Sequence, residues 1–243
     1  MAGDQNRERD RAHTHDDERT RRADVRDTYD RIATHFASTR EYAWPEVEAF
    51  VETHATDVDT GVGLDLGCGN CRHAELFEAH LESVIGLDVS RGLLETGRKR
   101  ALERDFDVEL IQGDAASLPL AADAVDVAVY VATLHHLPTR AARRASLDDL
   151  ARVLAPDGRA LVSAWSTAHD RFDETEGFDT TVEWILPGGE PVDRFYHIYA
   201  PDEFEADLTD SDLELLEWEL SSGNCYATVA GAETNDEPRF EDR

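Results

Sequence analysis

The pattern in this sequence with the most specific chemical potential is a glycine-rich turn. Gly67-Cys68-Gly69 directly follows the short apolar run 62–66. A glycine turn between a strand and a helix offers backbone N–H groups to a ligand and lets that ligand approach closely. Arg72 replaces the third glycine of a dinucleotide-binding G-x-G-x-x-G, and the sequence contains no G-K-[ST]. The turn therefore predicts neither NAD nor a nucleoside triphosphate.

Three aspartates accompany this turn and indicate a nucleoside ligand. Asp88 ends the next apolar run, about 20 residues further on, where a carboxylate can accept hydrogen bonds from both ribose hydroxyls. Asp114 follows the third apolar run and can accept from the exocyclic amine of adenine. Asp65 lies beside the position that an ammonium group would occupy. The set predicts a ligand that carries a nucleoside and no phosphate chain; the alternative is an α/β domain whose turn and aspartates are only structural.

The cysteines do not predict a metal centre or a disulfide framework. Cys68 and Cys71 match C-x-x-C, but a zinc site needs four ligands, and Cys225 is the one cysteine left to add. We therefore predict no metal. An odd number of cysteines agrees with a reducing compartment.

The elements that must position these residues alternate along the chain. Five short apolar runs are separated by helical segments, which is typical of parallel strands joined by crossover helices. Two closing strands follow, so we predict a doubly wound α/β fold with a mostly parallel seven-stranded sheet. The predicted strands are 62–66, 84–88, 108–112, 125–131, 159–165, 213–220 and 226–230, and the predicted helices are 24–37, 45–54, 72–81, 90–104, 139–154 and 202–208.

Composition divides the chain into three parts. Residues 1–23 have almost no apolar side chains and are predicted to form a disordered N-terminal arm. Residues 24–230 are predicted to form one folded domain, and 231–243 a disordered tail. Within the domain, residues 166–199 are rich in turn formers and aromatics, which predicts an irregular insert on the substrate side of the sheet.

The net charge of the chain indicates the solvent in which the protein works, and not the reaction that it catalyses. The 53 acidic residues exceed the 24 basic ones by 29, and Lys99 is the only lysine. Such a charge repels itself unless salt screens it, and near 1 M salt the screening length is about 3 Å. We therefore expect a protein of haloarchaeal type from a salt-rich cytoplasm. No window approaches the roughly 18 apolar residues of a membrane span, so we expect no membrane contact.

The turn and its aspartates resemble the motifs of class I S-adenosylmethionine-dependent methyltransferases. The resemblance implies that Gly67 and Gly69 pass under the methionine moiety, that Asp88 holds the ribose and that Asp114-Ala115 frame the adenine. One departure is Cys71, where families often have glycine and where a side chain would narrow the pocket. The resemblance implies that S-adenosylmethionine is the cofactor and that the residues binding it are Tyr29, Asp65, Gly67, Cys68, Gly69, Asp88, Val89, Asp114, Ala115 and Val131.

Three flanking segments resemble a narrower family, the tRNA wobble-uridine methyltransferases that esterify 5-carboxymethyluridine. They are 29–45, 131–137 and 194–199, with 223–226 near the end of the chain. The resemblance implies that Arg40 lies in the active site, that Arg194, Tyr196 and His197 contact the modified base, and that the partner is a tRNA anticodon loop. It also implies a small zinc-binding activator subunit, with the zinc in that subunit.

The chemistry of a carboxylate acceptor agrees with these residues. A carboxylic acid with a pKa near 4 is already ionised at neutral pH, so methylation needs orientation and no general base. Arginine forks can orient a carboxylate, and Arg194 is the only basic residue between Arg171 and Arg239. His135 and His136 are interpreted as pocket wall. Two alternatives stay open: a small-molecule C- or O-methyltransferase, for which His135 or His197 would be the base, and a non-catalytic RNA-binding homologue.

Overall fold

A computed structural model describes residues 2–56 and 61–231, with side chains from residue 20 onward. The strands in chain order are β1 (Val62–Leu66), β2 (Ser83–Asp88), β3 (Glu109–Gln112), β4 (Val125–Val131), β5 (Leu154–Trp165), β6 (Phe178–Ile185), β7 (Pro191–Ile198), β8 (Leu213–Ser221) and β9 (Asn224–Gly231). The helices are α1 (Ala2–Ser38), α2 (Pro45–His54), α3 (Ala74–Phe77), α4 (Arg91–Arg104), α5 (Arg140–Val153) and α6 (Pro201–Thr209).

Seven of these strands form one sheet in the order β3-β2-β1-β4-β5-β9-β8. The pairs among β1 to β5 are parallel, whereas β9 pairs antiparallel with both β5 and β8. Crossover helices join the parallel strands, and the large apolar side chains between helices and sheet are fully buried, Leu64 and Leu66 on β1 among them. The predicted doubly wound, mostly parallel seven-stranded fold is confirmed.

Local sequence signals explain where the main helices begin. Ser90 caps α4 by accepting a hydrogen bond from Leu93 N at 3.1 Å, and Thr139 caps α5 by accepting from Ala142 N at 3.1 Å. Pro45 opens α2, where a proline costs no helical hydrogen bond. α3 is shorter than predicted, since residues 68–73 form turns that carry the glycine motif.

The carboxyl ends of β1, β2 and β3 lie side by side. Leu66 is in register with Leu87, and Asp88 is in register with Gln112. Residues that directly follow these strands therefore meet at one edge of the sheet, as expected for ligand sites in open α/β folds.

The insert is more regular than the sequence predicts. β6 and β7 form an antiparallel hairpin, separate from the main sheet, whose turn contains Gly188 and Gly189 at φ values of 113° and 89°. Its backbone contacts the carboxyl edge of the sheet, where the Nδ1–H of His136 donates to Phe195 O at 2.8 Å. The hairpin therefore covers the end of the sheet at which β1 to β4 finish.

The first helix begins earlier than the predicted start at residue 24. α1 runs from Ala2 to Ser38, and its second half packs on α4 and β7. Asp30 joins α1 to α4, because its Oδ1 accepts from Gly92 N at 2.8 Å and from Ser90 Oγ at 2.7 Å. The division into an arm, a domain and a tail stays a prediction, and tail residues 232–243 lie outside the described residues. Within the described part of the chain, no helix has the length and apolar character needed to cross a membrane.

Candidate functional site

A cleft of about 400 Å³ opens at the carboxyl edge of the sheet, between the hairpin, α1 and the turns that follow β1, β2 and β3. It collects most of the residues that the sequence assigns to cofactor and substrate. Those that line it are Tyr29, Arg40, Gly67, Cys68, Gly69, Asp88, Val89, Asp114, Ala115, Val131, Arg194 and Tyr196. Asp65 and His197 lie outside the lining.

The glycine turn needs its glycines for two different reasons. Gly67 has a φ of 76°, and a Cβ on it would lie 2.1 Å from Thr133 Oγ1, so neither its backbone conformation nor the space admits a side chain. Gly69 has a φ of 54°, and a Cβ on it would meet nothing within 4 Å, so its backbone faces open space in the cleft. This open cradle is what a ligand lying over the turn requires.

Cys71 does not narrow the cleft, contrary to the expectation from sequence. Its φ of 61° is in the left-handed region, which explains why glycine suits this position. The side chain is fully buried, and its Sγ lies 2.5 Å from the position that a Cβ on Gly97 of α4 would take. The thiol therefore packs between the turn and α4, away from the ligand space.

Asp88 is held ready to accept further hydrogen bonds. Its Oδ1 accepts from Ser90 N at 2.8 Å and its Oδ2 from Gly69 N at 2.9 Å. Each oxygen keeps a second lone pair. Burial raises the pKa of Asp88 to about 6, although the N–H groups of Ser90 and Gly69 lower it. At neutral pH the carboxylate is ionised and suited to two adjacent hydroxyls.

Asp114 also lines the cleft and is already paired with Arg22 of α1. Its Oδ1 accepts from Ala116 N at 2.9 Å, and its Oδ2 pairs with Arg22 at 2.9 Å. Arg22 also lines the cleft, although the sequence places it in the predicted arm. Sequence reasoning had no signal for this contact, because 92 positions separate the two residues.

Asp65 has a structural position rather than one in the cleft. It is 1% exposed, and its Oδ2 accepts from Ala74 N at 3.0 Å, at the start of α3. Burial raises the pKa of Asp65 to about 7, with the hydrogen bond from Ala74 lowering it. The structure places this side chain outside the cleft lining, where it acts on the glycine turn through α3.

Arg40 and Arg194 project into the cleft without an acidic partner. Neither forms an ion pair with any carboxylate in the described ranges 20–56 and 61–231. Arg194 is 7% exposed; its Nη1 donates to Tyr196 Oη at 2.7 Å, and its Nε has no acceptor among those residues. Burial lowers the pKa of Arg40, and the charge of Arg194 lowers it further. Two neighbouring guanidinium groups without a counterion form a site for an anion.

Trp184 on β6 contacts both of these arginines. The sequence predictions do not include this residue. The guanidinium carbons of Arg40 and Arg194 lie 5.6 Å and 5.0 Å from the centre of the Trp184 ring. Trp184 Nε1 donates to His35 Nδ1 at 3.1 Å, which ties the ring to α1. Contact with an electron-rich ring face stabilises both cations.

The paired histidines form neutral walls of the cleft. Trp165 N donates to His135 Nδ1 at 3.0 Å, and Tyr29 Oη donates to His136 Nε2 at 2.8 Å. Burial lowers the pKa of His136 to about 4 and lowers that of His135 well below its ordinary value. Both side chains are therefore neutral at pH 7, in agreement with their interpretation as wall residues.

His197 is not in the cleft, contrary to the expectation that it contacts the modified base. Arg194 and Tyr196, two positions apart on β7, both line the cleft. Because successive side chains of a strand point to opposite faces, His197 faces the other side of the hairpin. There its Nδ1 lies 2.8 Å from Asp179 Oδ1, and its Nε2 lies 3.1 Å from Glu203 Oε1. These contacts link the hairpin to α6.

The comparisons with known proteins agree with this geometry. Residues 64–162 match the family model described as a methyltransferase domain. A crystal structure of an S-adenosylmethionine-dependent methyltransferase from Clostridium acetobutylicum superposes with a TM-score of 0.66 at 12% identity, over 82% of this chain and 98% of the other. Residues 64–162 therefore contain a methyltransferase domain, and the chain has the fold of S-adenosylmethionine-dependent methyltransferases. The predicted cofactor, S-adenosylmethionine, is confirmed, and the cradle at Gly69 and the free lone pairs of Asp88 fit its methionine and ribose parts.

Several relatives of this methyltransferase domain are named as tRNA (carboxymethyluridine(34)-5-O)-methyltransferases. The Arabidopsis thaliana protein is 35% identical over 60% of this chain and 33% of its own length. The Saccharomyces cerevisiae protein is 30% identical over 67% of this chain and 57% of its own length. The chain thus spans only a third of the Arabidopsis relative.

A second solved structure shares the fold. It is a complex between the Haloferax volcanii Trm112 methyltransferase activator and a protein described as a methyltransferase. The TM-score is 0.59 at 14% identity, over 86% of this chain and 97% of the other. At this identity the match concerns the fold alone.

Proposed function

We propose that this methyltransferase domain transfers a methyl group to the carboxylate of 5-carboxymethyluridine at the wobble position of tRNA. The relatives named for this reaction support the acceptor class. The observation that carries the proposal is the pair Arg40 and Arg194, which face the cleft without a carboxylate partner in the described residues. In a chain with a net charge of −29, acids are abundant, yet none of the described ones neutralises this pair.

The residues of the cleft suit a reaction that depends on orientation. When bound, S-adenosylmethionine would supply a methyl group on a positively charged sulfur: a substrate carboxylate oxygen would form the O–C bond of the methyl ester as the C–S bond breaks, and S-adenosylhomocysteine would leave. Arg40 and Arg194 bind the other carboxylate lone pairs and hold the attacking oxygen in place. Tyr196 fixes Arg194 through the 2.7 Å hydrogen bond, and the burial of Arg194 limits the access of water to its guanidinium group.

The histidines do not favour carbon methylation, the chemistry of the first alternative. Such a reaction needs a base, but His135 Nδ1 already accepts from Trp165 N, and burial lowers the pKa of His135 well below its ordinary value. His197 lies outside the cleft, between Asp179 and Glu203. The second alternative, a non-catalytic RNA-binding homologue, does not explain the free lone pairs of Asp88 beside the glycine cradle.

A small activator subunit belongs to the same proposal. The activator complex among the solved structures of this fold supports it. In the described sheet β3 and β8 are the outer strands, so either offers unpaired backbone groups to an added strand. Any zinc would belong to that subunit; among the described residues of this chain, no group of three or more His, Cys, Asp or Glu side chains is placed to hold a metal ion.

The reaction is tested with the full chain in about 1 M KCl, where its charge is screened. Labelled S-adenosylmethionine is supplied with tRNA from a strain lacking the protein, with and without the candidate activator, and the tRNA is digested to nucleosides. We expect label on one modified uridine. A parallel reaction with free 5-carboxymethyluridine tests a small carboxylic acid as the acceptor. Label on free acids but not on tRNA would contradict the proposal, as would no label on either.

A further inference from the structure

The cleft has a charge opposite to that of the whole chain. Its lining contains five arginines, Arg22, Arg40, Arg72, Arg171 and Arg194, and two ionisable carboxylates, Asp88 and Asp114. The chain as a whole has a net charge of −29. A single substrate carboxylate accounts for Arg40 and Arg194, and Asp114 accounts for Arg22. Arg72 and Arg171 are left without a role.

Arg72 lies at the edge of the glycine turn, stacked on a tryptophan. Its guanidinium carbon is 5.0 Å from the ring centre of Trp44, and its Nη1 donates to Tyr42 O at 3.3 Å. Burial lowers the pKa of Arg72 to about 10, and the charge of Arg40 lowers it further. The group is still cationic at neutral pH, and it pairs with no carboxylate in the part of the chain that the structure describes.

Arg171 repeats this arrangement near Tyr196, the hydrogen-bond partner of Arg194. It follows β5, is exposed, and its guanidinium carbon lies 5.6 Å from the ring centre of Trp165. The Trp165 ring in turn contacts Tyr196 at 5.5 Å between centres. Arg171 likewise forms no ion pair with the described carboxylates. In both cases the guanidinium group lies against a tryptophan ring and keeps N–H groups for phosphate oxygens, in Arg72 those other than the one that donates to Tyr42 O.

We propose that Arg72 and Arg171 bind the phosphodiesters that flank the target nucleotide of an RNA strand. This inference rests on the proposed function, because it takes the nucleoside to occupy the space beside Arg40 and Arg194. A nucleotide within a strand has a phosphodiester on each side, and each substrate arginine has a neighbouring arginine that pairs with no described carboxylate. Arg72 donates to Tyr42, two residues after Arg40, and Arg171 adjoins Arg194 through Trp165 and Tyr196. Tryptophan stacking fixes the two cations locally, which is needed where salt screens long-range attraction.

The test measures the binding of a fluorescently labelled anticodon stem-loop RNA to the full-length protein over a series of KCl concentrations. For single-stranded RNA, the slope of log K against log salt falls by roughly 0.7 for each phosphate that the protein no longer binds. We expect Arg72→Gln and Arg171→Gln each to reduce the slope by about 0.7, and the double variant by about 1.4. Arg72→Lys keeps a point charge and is expected to keep the slope while weakening affinity, a result that misfolding would not give. Arg91→Gln, an exposed arginine on α4 paired with Glu95, is the matched control and should leave the slope unchanged.

The outcomes separate this inference from the proposed function. If the Gln variants keep the wild-type slope while the wild-type protein methylates tRNA, the phosphate contacts are refuted and the proposed function stands. If Arg91→Gln lowers the slope as much as Arg72→Gln, the effect is one of net charge and the inference is also refuted. If the wild-type protein neither binds the RNA nor methylates tRNA, both are overturned.

Discussion

At the scale of residues, the cleft is defined by Arg40 and Arg194, two cations that pair with none of the carboxylates described by the structure. Burying a cation without a partner is costly, so Arg194, at 7% exposure and with an unpaired Nε, reduces the stability of the cofactor-free fold. The aromatic contacts with Trp184 and Tyr196 offset part of that cost. A substrate carboxylate would supply the missing counterion, which explains why the position is occupied by arginine.

Replacing either arginine should reduce catalysis and spare cofactor binding. A hydrogen bond to a charged group contributes about 1.5–3 kcal/mol, so Arg40→Gln and Arg194→Gln should each lower kcat/KM for tRNA roughly 10- to 150-fold. The dissociation constant for S-adenosylmethionine, measured by calorimetry, should change little. The lysine variants keep the positive charge but lack the two-pronged guanidinium group, so their kcat/KM values should lie between those of the wild type and the Gln variants. Equal losses in cofactor affinity would contradict this division of roles.

Cofactor affinity should depend on pH through Asp88. Burial raises the pKa of Asp88 to about 6 in the free protein, and ribose hydroxyls donate to the ionised form. Binding therefore favours deprotonation: affinity should be constant above about pH 7 and weaken as the pH falls through 6. Titration calorimetry between about pH 5 and 8 measures this, from roughly one unit below the pKa to two units above it. The Asp88→Asn variant should bind S-adenosylmethionine weakly, and its affinity should not depend on pH in this window. If the variant kept the pH dependence of the wild-type protein, the effect would belong to another group.

At the scale of elements, the substrate site is assembled from two parts of the chain far apart in sequence. Arg40 follows α1, whereas Arg194 is on β7. Trp184, on β6, contacts both and is also bound to His35 near the end of α1. The hairpin therefore acts as a scaffold that sets the distance between two like charges.

Trp184→Leu should disturb this arrangement without touching the cofactor. The variant lacks the ring face that lies against both guanidinium groups, each contact contributing about 0.5–2 kcal/mol. We expect kcat for tRNA to fall roughly tenfold or more, with cofactor affinity retained. Trp184→Phe restores a ring and should recover part of the activity in steady-state kinetics. If Phe and Leu variants are equally impaired, Trp184 acts through packing alone.

The sequence predicts the sheet well and the hairpin poorly, for a physical reason. β1 and β4 have the predicted bounds because strands buried on both faces read as continuous apolar runs. β6 and the first part of β7 bury one face, against α1 and the cleft, and alternate with exposed acids such as Glu183 and Asp193. In so acidic a chain, a segment with this alternation reads as an irregular loop. The Gly188-Gly189 turn is the one remaining sequence signal of a hairpin.

The same reason explains which site residues the sequence places wrongly. The glycine turn, Asp88 and Asp114 follow strands in the parallel sheet, so their common position follows from the fold. His197 is displaced because β7 is a strand, in which neighbouring side chains face opposite sides. Asp65 lies within β1, before the turn. Its side chain accepts from Ala74 N, a contact that depends on α3 beginning at Ala74. Arg22 and Trp184 contact residues that are far away in sequence and come close only in the folded chain.

At the scale of the whole molecule, the surface and the cleft differ in charge. The net charge of −29 opposes folding at low ionic strength, while the cleft concentrates arginines where an anionic substrate would bind. The proposed haloarchaeal origin accounts for the first feature, because screening over about 3 Å near 1 M salt removes most of the repulsion.

Stability should therefore rise with salt. Thermal unfolding followed by circular dichroism should show a higher Tm in about 1 M KCl than in about 0.1 M KCl, where the screening length is about 10 Å. Potassium chloride is chosen because it screens charge and is a weak precipitant. A Tm that does not change, or falls, would show that self-repulsion is not what limits the fold.

The sharpest test of the proposed reaction is the chemical identity of the methylated product. The wobble nucleoside of tRNA treated with the protein and S-adenosylmethionine is isolated, and its mass is measured before and after mild alkali. An ester at the carboxylate should add one methyl group that alkali removes, and Arg194→Gln should form much less of it. A methyl group that resists alkali, or one on a different nucleoside, would contradict the assignment of Arg40 and Arg194 to a substrate carboxylate.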